Sequence, residues 1–381
     1  MSNGCQAWRS QRVLAQAQAV PTRRSALLVT RKHSSRRSPL LECAGPGSIS
    51  TRREGNVRRG LECNASGDGQ VDPMTGMPVI NAVLEKEVTI NGTKIHYRCS
   101  EGKESSPTIV FLHGVLSSSY SYRKVIDLLG QEGYNCVAPD WPGHGDSDVP
   151  ASGKFNYRAD DYLHLLEAFL YKLNVRENYI LVTQGFILGQ YGLLYALKNR
   201  ESIDKLVVLN TPLETKTQMP GILKKLKGSG GGLFGGLFGS EGGSVAEIRA
   251  DTYCGLGGPY LMPADDALVY QEPFLKQEYR DSASKLMENV DYEQLLQEID
   301  SGFRRFKTDT LLAYGTSDRY MDWNTATEWL DDKRTCMKLF TFPDKMGHFA
   351  QEDYPERVAD TILKFCEGEN VQIKGDLSKF N

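Results

Sequence analysis

No two of the eight cysteines form a Cys-x-x-Cys pair: they stand apart at positions 5, 43, 63, 99, 136, 254, 336 and 366, without a Cys/His grouping at ligand spacing. Neither a metal site nor a disulfide framework is implied, and no metal or organic cofactor is expected. Cys99 and Cys136 fall in or beside apolar strand-like runs, where a thiol serves as a small hydrophobe. No apolar run approaches the ~20 residues that a membrane-spanning helix needs. No Gly-x-Ser-x-Gly occurs anywhere in the 381 residues, which removes the commonest strand-to-helix turn carrying a serine nucleophile.

Negative charge is also missing from one end. Residues 1–60 carry twelve Arg or Lys against Glu42 and Glu54, about +10, so the overall −3 leaves about −13 on the rest. The leader is rich in Arg, Ser and Ala, as in Arg23-Arg-Ser25 and Ser34-Ser-Arg-Arg-Ser38, which is the composition of an organelle transit peptide. A secretory signal would need an unbroken apolar stretch, and Val13-Leu-Ala-Gln-Ala-Gln-Ala-Val20 is interrupted by glutamines. A disordered basic tail that binds polyanions is the competing reading. Composition does not separate chloroplast from mitochondrion.

Regular structure begins after a Gly- and Pro-containing linker that ends near residue 78. Glu87-Val-Thr-Ile90 and Thr93-Lys-Ile-His-Tyr-Arg98 flank Asn91-Gly92, a strong hairpin signal. Apolar strand-like runs then alternate with amphipathic helical patterns: strands at 108–112, 135–139, 179–182 and 205–209, helices at 122–131, 159–173 and 186–199. Such alternation predicts a mostly parallel sheet covered by helices on both faces. It lapses for about 90 residues, across the low-complexity Gly228–Ser240 and the Tyr-, Gly- and Pro-rich 253–278, and resumes at Thr310-Leu-Leu-Ala-Tyr314. The expected domains are a transit peptide and linker over 1–78, an α/β core over 79–212 and 307–368, a cap inserted over 213–306, and a tail over 369–381.

The stretch that organises the chain is Tyr179-Ile-Leu-Val-Thr-Gln-Gly-Phe-Ile-Leu-Gly-Gln-Tyr-Gly192, read as strand, tight turn, helix. Where such a turn carries a nucleophile, the apex here falls on Gly185. Glycine suits the backbone of a sharp bend and supplies nothing to attack with. Downstream, Gly315-Thr-Ser-Asp318 follows one strand and Gly347-His348 precedes Phe349-Ala-Gln-Glu-Asp-Tyr-Pro-Glu356. Apex, acid and histidine stand in the order in which this kind of fold places nucleophile, Asp and His.

These motifs, with Asp140-Trp-Pro-Gly-His-Gly-Asp-Ser147 after a strand, resemble the α/β-hydrolase superfamily in its epoxide-hydrolase and haloalkane-dehalogenase-like branch, over roughly 84–367. Leu181-Val-Thr-Gln-Gly-Phe186, Gly258-Pro-Tyr260 and Gln351-Glu-Asp-Tyr-Pro-Glu356 resemble plastid-targeted members of the fold in plants and green algae, which points the leader to the chloroplast stroma. The resemblance implies an α/β-hydrolase fold with a His348–Asp318 pair, and an oxyanion hole from the amides of Val115 and Phe186. Leu116 stands where epoxide hydrolases of this branch often carry Pro, and His113 is expected to hold its loop rather than move protons. Cap tyrosines Tyr253, Tyr260 and Tyr270 are candidates to hydrogen-bond a substrate oxygen.

Three functions stay open without an elbow nucleophile. His348, oriented by Asp318, activates a water on a small, largely apolar substrate. Alternatively the chain is a non-catalytic relative that binds a small ligand, or a platform for a protein partner. A monomer without a nucleic-acid partner is expected, with at most weak peripheral membrane contact through Leu233-Phe-Gly-Gly-Leu-Phe238.

Overall fold

The structure, a computed structural model, describes residues 83–151, 153–227, 249–255, 261–330 and 336–369. The leader, the Gly-rich segment from Gly228, Tyr260 and the tail beyond 369 lie outside the described residues. β1 (Leu84–Ile90) and β2 (Thr93–Ser100) pair antiparallel with Ile90 opposite Thr93. Asn91 (φ 50°) and Gly92 (φ 82°) both take positive φ, the twist-matched hairpin turn that Asn-Gly favours.

Six further strands complete one sheet: β3 (Thr108–Leu112), β4 (Asn135–Pro139), β5 (Tyr179–Gln184), β6 (Ile203–Leu209), β7 (Asp309–Gly315) and β8 (Met337–Phe342). The order is β1-β2-β4-β3-β5-β6-β7-β8, with β2 antiparallel to β4 and all later pairs parallel. Both faces are covered, so the central strands are apolar at consecutive positions and each strand divides between two cores. Leu181, Leu206, Val208 and Leu312 belong to one; Ile180, Val182, Val207 and Leu311 belong to the other.

Helices α1 (Arg123–Gln131), α2 (Ala159–Lys172) and α3 (Leu188–Lys198) fill the crossovers. α3 lies tight on the sheet because Gly189 has no side chain; a Cβ there would meet Gln184 O at 2.3 Å. Between β6 and β7 the chain forms α4 (Gly221–Leu226), α5 (Ala250–Gly255), α6 (Ala264–Gln271), α7 (Gln277–Glu288) and α8 (Tyr292–Phe303). α9 (Trp323–Leu330), α10 (Ala350–Asp353) and α11 (Pro355–Cys366) follow, with α11 covering the face shared with α1. The loops after β3, β5, β6, β7 and β8 emerge at the carboxyl edge of the sheet, where open α/β sheets bind ligands.

Candidate active site at the carboxyl edge of the sheet

The strand-to-helix turn after β5 places Gly185 at φ +86°, a conformation that favours glycine. A Cβ added there would lie 3.2 Å from Gly114 Cα and 3.7 Å from His348 Nε2. Gly185 and the imidazole therefore do face each other. His348 Nδ1 is 2.8 Å from Asp318 Oδ2, with both side chains almost wholly buried.

Asp318 is held from four sides. Its Oδ2 also accepts from Asn210 Nδ2 at 2.8 Å, and its Oδ1 accepts from the amides of Tyr320 at 2.8 Å and Met321 at 3.2 Å. Facing three other N–H donors, the carboxylate can only accept from Nδ1 as well, so the neutral imidazole carries its hydrogen on Nδ1 and a lone pair on Nε2. Gln184 Nε2 donates to the His348 carbonyl at 2.9 Å, tying the histidine loop to the end of β5. Asn210 takes φ +44° just past β6, and its Oδ1 accepts from Gly315 N at 3.3 Å.

Nε2 meets one phenol. Tyr253 of α5 places its hydroxyl 3.3 Å from it, and the lone pair makes the phenol the donor. Complete burial keeps that phenol well above its usual pKa, so it remains protonated. Phe186, Tyr253, Tyr320 and Phe349 ring the imidazole with centroid distances of 5.2–5.7 Å. Tyr253 thus joins the dyad, whereas Tyr270 does not. The Tyr270 hydroxyl donates to Glu352 Oε1, which also accepts from Arg123 Nη1, while Arg123 Nη2 donates to Asp266 Oδ2 at 2.7 Å and stacks on Tyr120. This group ties α6 to the core beside α10 and holds the Tyr270 phenol on Glu352 rather than beside His348. Tyr260 lies outside the described residues.

Of the two amides expected to form an oxyanion hole, Val115 N already has an acceptor within the chain. Val115 N donates to the Phe186 carbonyl at 3.1 Å, and Leu188 N donates to the same oxygen at 2.8 Å. The second bond closes a γ-turn about Ile187, at φ 59° and ψ −74°. The Val115 amide is therefore engaged by the chain itself, because the peptide between Phe186 and Ile187 directs its oxygen toward it. His113 holds its loop as expected: Nδ1 donates to Gly114 O at 2.8 Å and Nε2 accepts from Trp141 N at 3.1 Å. Burial pushes its pKa down to about 4, so the ring is neutral.

Asp140 is a scaffold anchor, accepting from Ser119 N at 2.6 Å, His96 Nδ1 at 2.8 Å and Asp146 N at 3.1 Å. Burial opposes its ionisation, and the bond from His96 with neighbouring positive groups more than offsets this, leaving a pKa of about 2. His96, Asp140 and Asp146 bring ligand-type atoms within 4.8 Å of one another, yet Arg98 Nη2 lies 3.9 Å from Asp146. A resident guanidinium and an Asp140 already filled with N–H donors suit an ion-pair cluster better than a metal.

The alpha/beta hydrolase fold profile matches residues 107–355. The chain belongs to the α/β-hydrolase fold family. It is 28% identical over 289 residues to a cis-3-alkyl-4-alkyloxetan-2-one decarboxylase of Shewanella oneidensis, covering 72% of this chain and 86% of that protein. A haloalkane dehalogenase of Mesorhizobium japonicum is 36% identical over 109 residues, 29% of this chain and 33% of that one. Epoxide hydrolase 1 of Siraitia grosvenorii is 31% identical over 125 residues, 33% and 39% of the two chains. Among solved structures, haloalkane dehalogenase DbeA from Bradyrhizobium elkani superposes with a TM-score of 0.62 at 20% identity, over 75% of this chain and 98% of that one. The likeness to that dehalogenase is one of fold, and no helix among the described residues of this chain is long and apolar enough to cross a membrane.

Proposed function

We propose that this hydrolase-fold protein acts on a small, largely apolar molecule bearing an acceptor oxygen, with His348 as general base. The observation that carries the reading is the imidazole itself. Asp318 fixes the proton on Nδ1, and the Nε2 lone pair looks toward the side-chain-free Gly185. A water deprotonated at Nε2 attacks the substrate, Asp318 remains ionised and steadies the imidazolium, and the proton then passes to the leaving oxygen. Tyr253, beside Nε2, transfers its hydrogen bond to the substrate oxygen as it gives up the imidazole. Relatives named for oxetanone decarboxylation, dehalogenation and epoxide hydrolysis support a small organic substrate.

A second reading, a non-catalytic relative that binds a ligand or protein partner, is favoured by Gly185 and by the engaged Val115 amide. Turnover separates the two. In a screen of epoxides and esters, His348→Ala should lower any activity by about 10²–10⁴-fold, the usual worth of a positioned base. Unchanged activity in that variant, or no turnover by the parent, gives the case to binding. The Arg- and Ser-rich leader supports import into an organelle, and the resemblance of Leu181–Phe186 and Gln351–Glu356 to plastid-targeted members of the fold supports the chloroplast stroma.

A further inference from the structure

We infer that the peptide between Phe186 and Ile187 is a reversible plug, whose flip opens an oxygen-binding hole for a carbonyl-bearing ligand. The inference rests on the site proposed above and narrows its substrate class. Three observations converge on this one peptide. Its carbonyl oxygen accepts from Val115 N at 3.1 Å and from Leu188 N at 2.8 Å. Its N–H donates to Gln190 Oε1 at 2.9 Å. It leads into Ile187 at φ 59°, a sign that β-branched residues rarely adopt and that stores strain.

In the Gly-x-Ser-x-Gly spacing centred on residue 185, Ile187 stands where the second glycine belongs. A glycine would hold positive φ without penalty; isoleucine does not. Rotating the peptide plane by half a turn carries φ of Ile187 from 59° to about −120°, onto the side that L residues prefer. The same rotation exchanges the directions of C=O and N–H. Phe186 O leaves Val115, and Ile187 N–H points where that oxygen was. Val115 N–H and Leu188 N–H lose their acceptor at the same moment, so the plugged position becomes a cluster of donors at the start of α3.

Three hydrogen bonds hold the plug and backbone strain opposes it, so a ligand oxygen that accepts the freed N–H groups tips the balance. Such donors reward a carbonyl or carboxylate oxygen, which projects from an sp² carbon into the hole. A halide or an alcohol of equal length makes fewer of these bonds.

The sequence supplies the handles for a test on the full-length chain. Gly114-Val115 is its single Gly-Val pair and Phe186-Ile187 its single Phe-Ile pair. Carbonyl-13C glycine with 15N valine therefore reports the Val115 amide alone, and carbonyl-13C phenylalanine with 15N isoleucine reports the flipping peptide alone. On titration with butanamide both resonances should move together and saturate together, while 1-butanol moves neither. Butanamide binding should be about ten-fold weaker in Ile187→Gly than in Ile187→Ala, because both lose the buried side chain and glycine alone relieves the plugged conformation. Equal binding by those two variants overturns the inference. So does a 186–187 resonance that stays still under butanamide, whether or not Val115 responds. A His348-dependent turnover with an unmoved peptide leaves the base reading standing and removes the plug; a flip without turnover does the reverse.

Discussion

Replacing Gly185 by serine asks whether the turn, the imidazole and the acid form a working geometry. The added Cβ would sit 3.2 Å from Gly114 Cα and 3.7 Å from His348 Nε2, at a backbone φ of +86°. Left-handed backbone costs an L residue about 1–2 kcal/mol, and the close approach to Gly114 adds to this, for a total of roughly 2 kcal/mol. In a domain of this size that lowers Tm by roughly 4–8 °C. From a Cβ at that position the hydroxyl reaches Nε2 in one rotamer, in competition with the phenol of Tyr253. Gly185→Ser should therefore melt lower than the parent, by about the same amount as Gly185→Ala. Unlike both, it should react with a fluorophosphonate probe, detected as a mass shift on the peptide containing residue 185. A Gly185→Ser protein that melts as expected but labels no more than Gly185→Ala would refute the claim that the dyad is aimed at the elbow. If neither variant loses stability, the account of strain at this turn is wrong.

Two further outcomes test other parts of the molecule. Burial, reinforced by Glu352 and Asp318, raises the carboxyl of Asp353 from 3.8 to about 6, so between those values the folded protein keeps a proton that the unfolded chain has released. Stability from this group is thus full below pH 3.8 and is lost as pH rises through about 6; Asp353→Asn, which can still accept from Gly347 N, should be ~1–2 kcal/mol more stable than the parent at pH 8 and equal to it near pH 4 in urea titrations. Fusing residues 1–78 to a fluorescent protein should carry it into chloroplasts of a plant or algal cell, and a mitochondrial or cytosolic signal would end the stromal assignment.

What the sequence discloses follows where the physical signal is local. The parallel strands are legible because burial on both faces makes them continuous apolar runs, as in Tyr179–Gln184, every residue of which is buried. Asn91-Gly92 announces its turn because both residues tolerate positive φ. The helices between β6 and β7 are harder to read: α7 buries Ser282 and Ser284 among its apolar positions, which blurs its period. Asn210 escapes sequence reading because its partner Asp318 lies 108 residues away and nothing near Asn210 signals the contact. Tyr253 and Tyr270 are equivalent by composition; only the placement of α5 and α6 sends one phenol to His348 and the other to Glu352. The bond made by the Val115 amide is hidden for a related reason. Its acceptor is set by the orientation of one peptide at Ile187, which residue type alone would argue against.

Two buried histidines within the same fold bear on whether the dyad is structural. His113 has both ring nitrogens fixed to backbone groups, at 2.8 Å and 3.1 Å, and burial holds it neutral with a pKa of about 4. That is how a histidine is satisfied when its task is to hold a loop, since the backbone offers no alternative geometry. His348 is built differently: one nitrogen is gripped by a carboxylate with three other donors, and the other lies 3.3 Å from the Tyr253 hydroxyl of α5. Enclosing an ionised carboxylate carries a large desolvation cost that well-packed apolar groups would avoid. Asp318 offsets that cost through donors that orient it toward Nδ1, which leaves the basic lone pair on the one nitrogen whose partner can withdraw. The asymmetry is what a general base requires, which is why it supports the role proposed for His348; the buried His96–Asp140 pair shares it, so turnover rather than geometry decides between base and anchor.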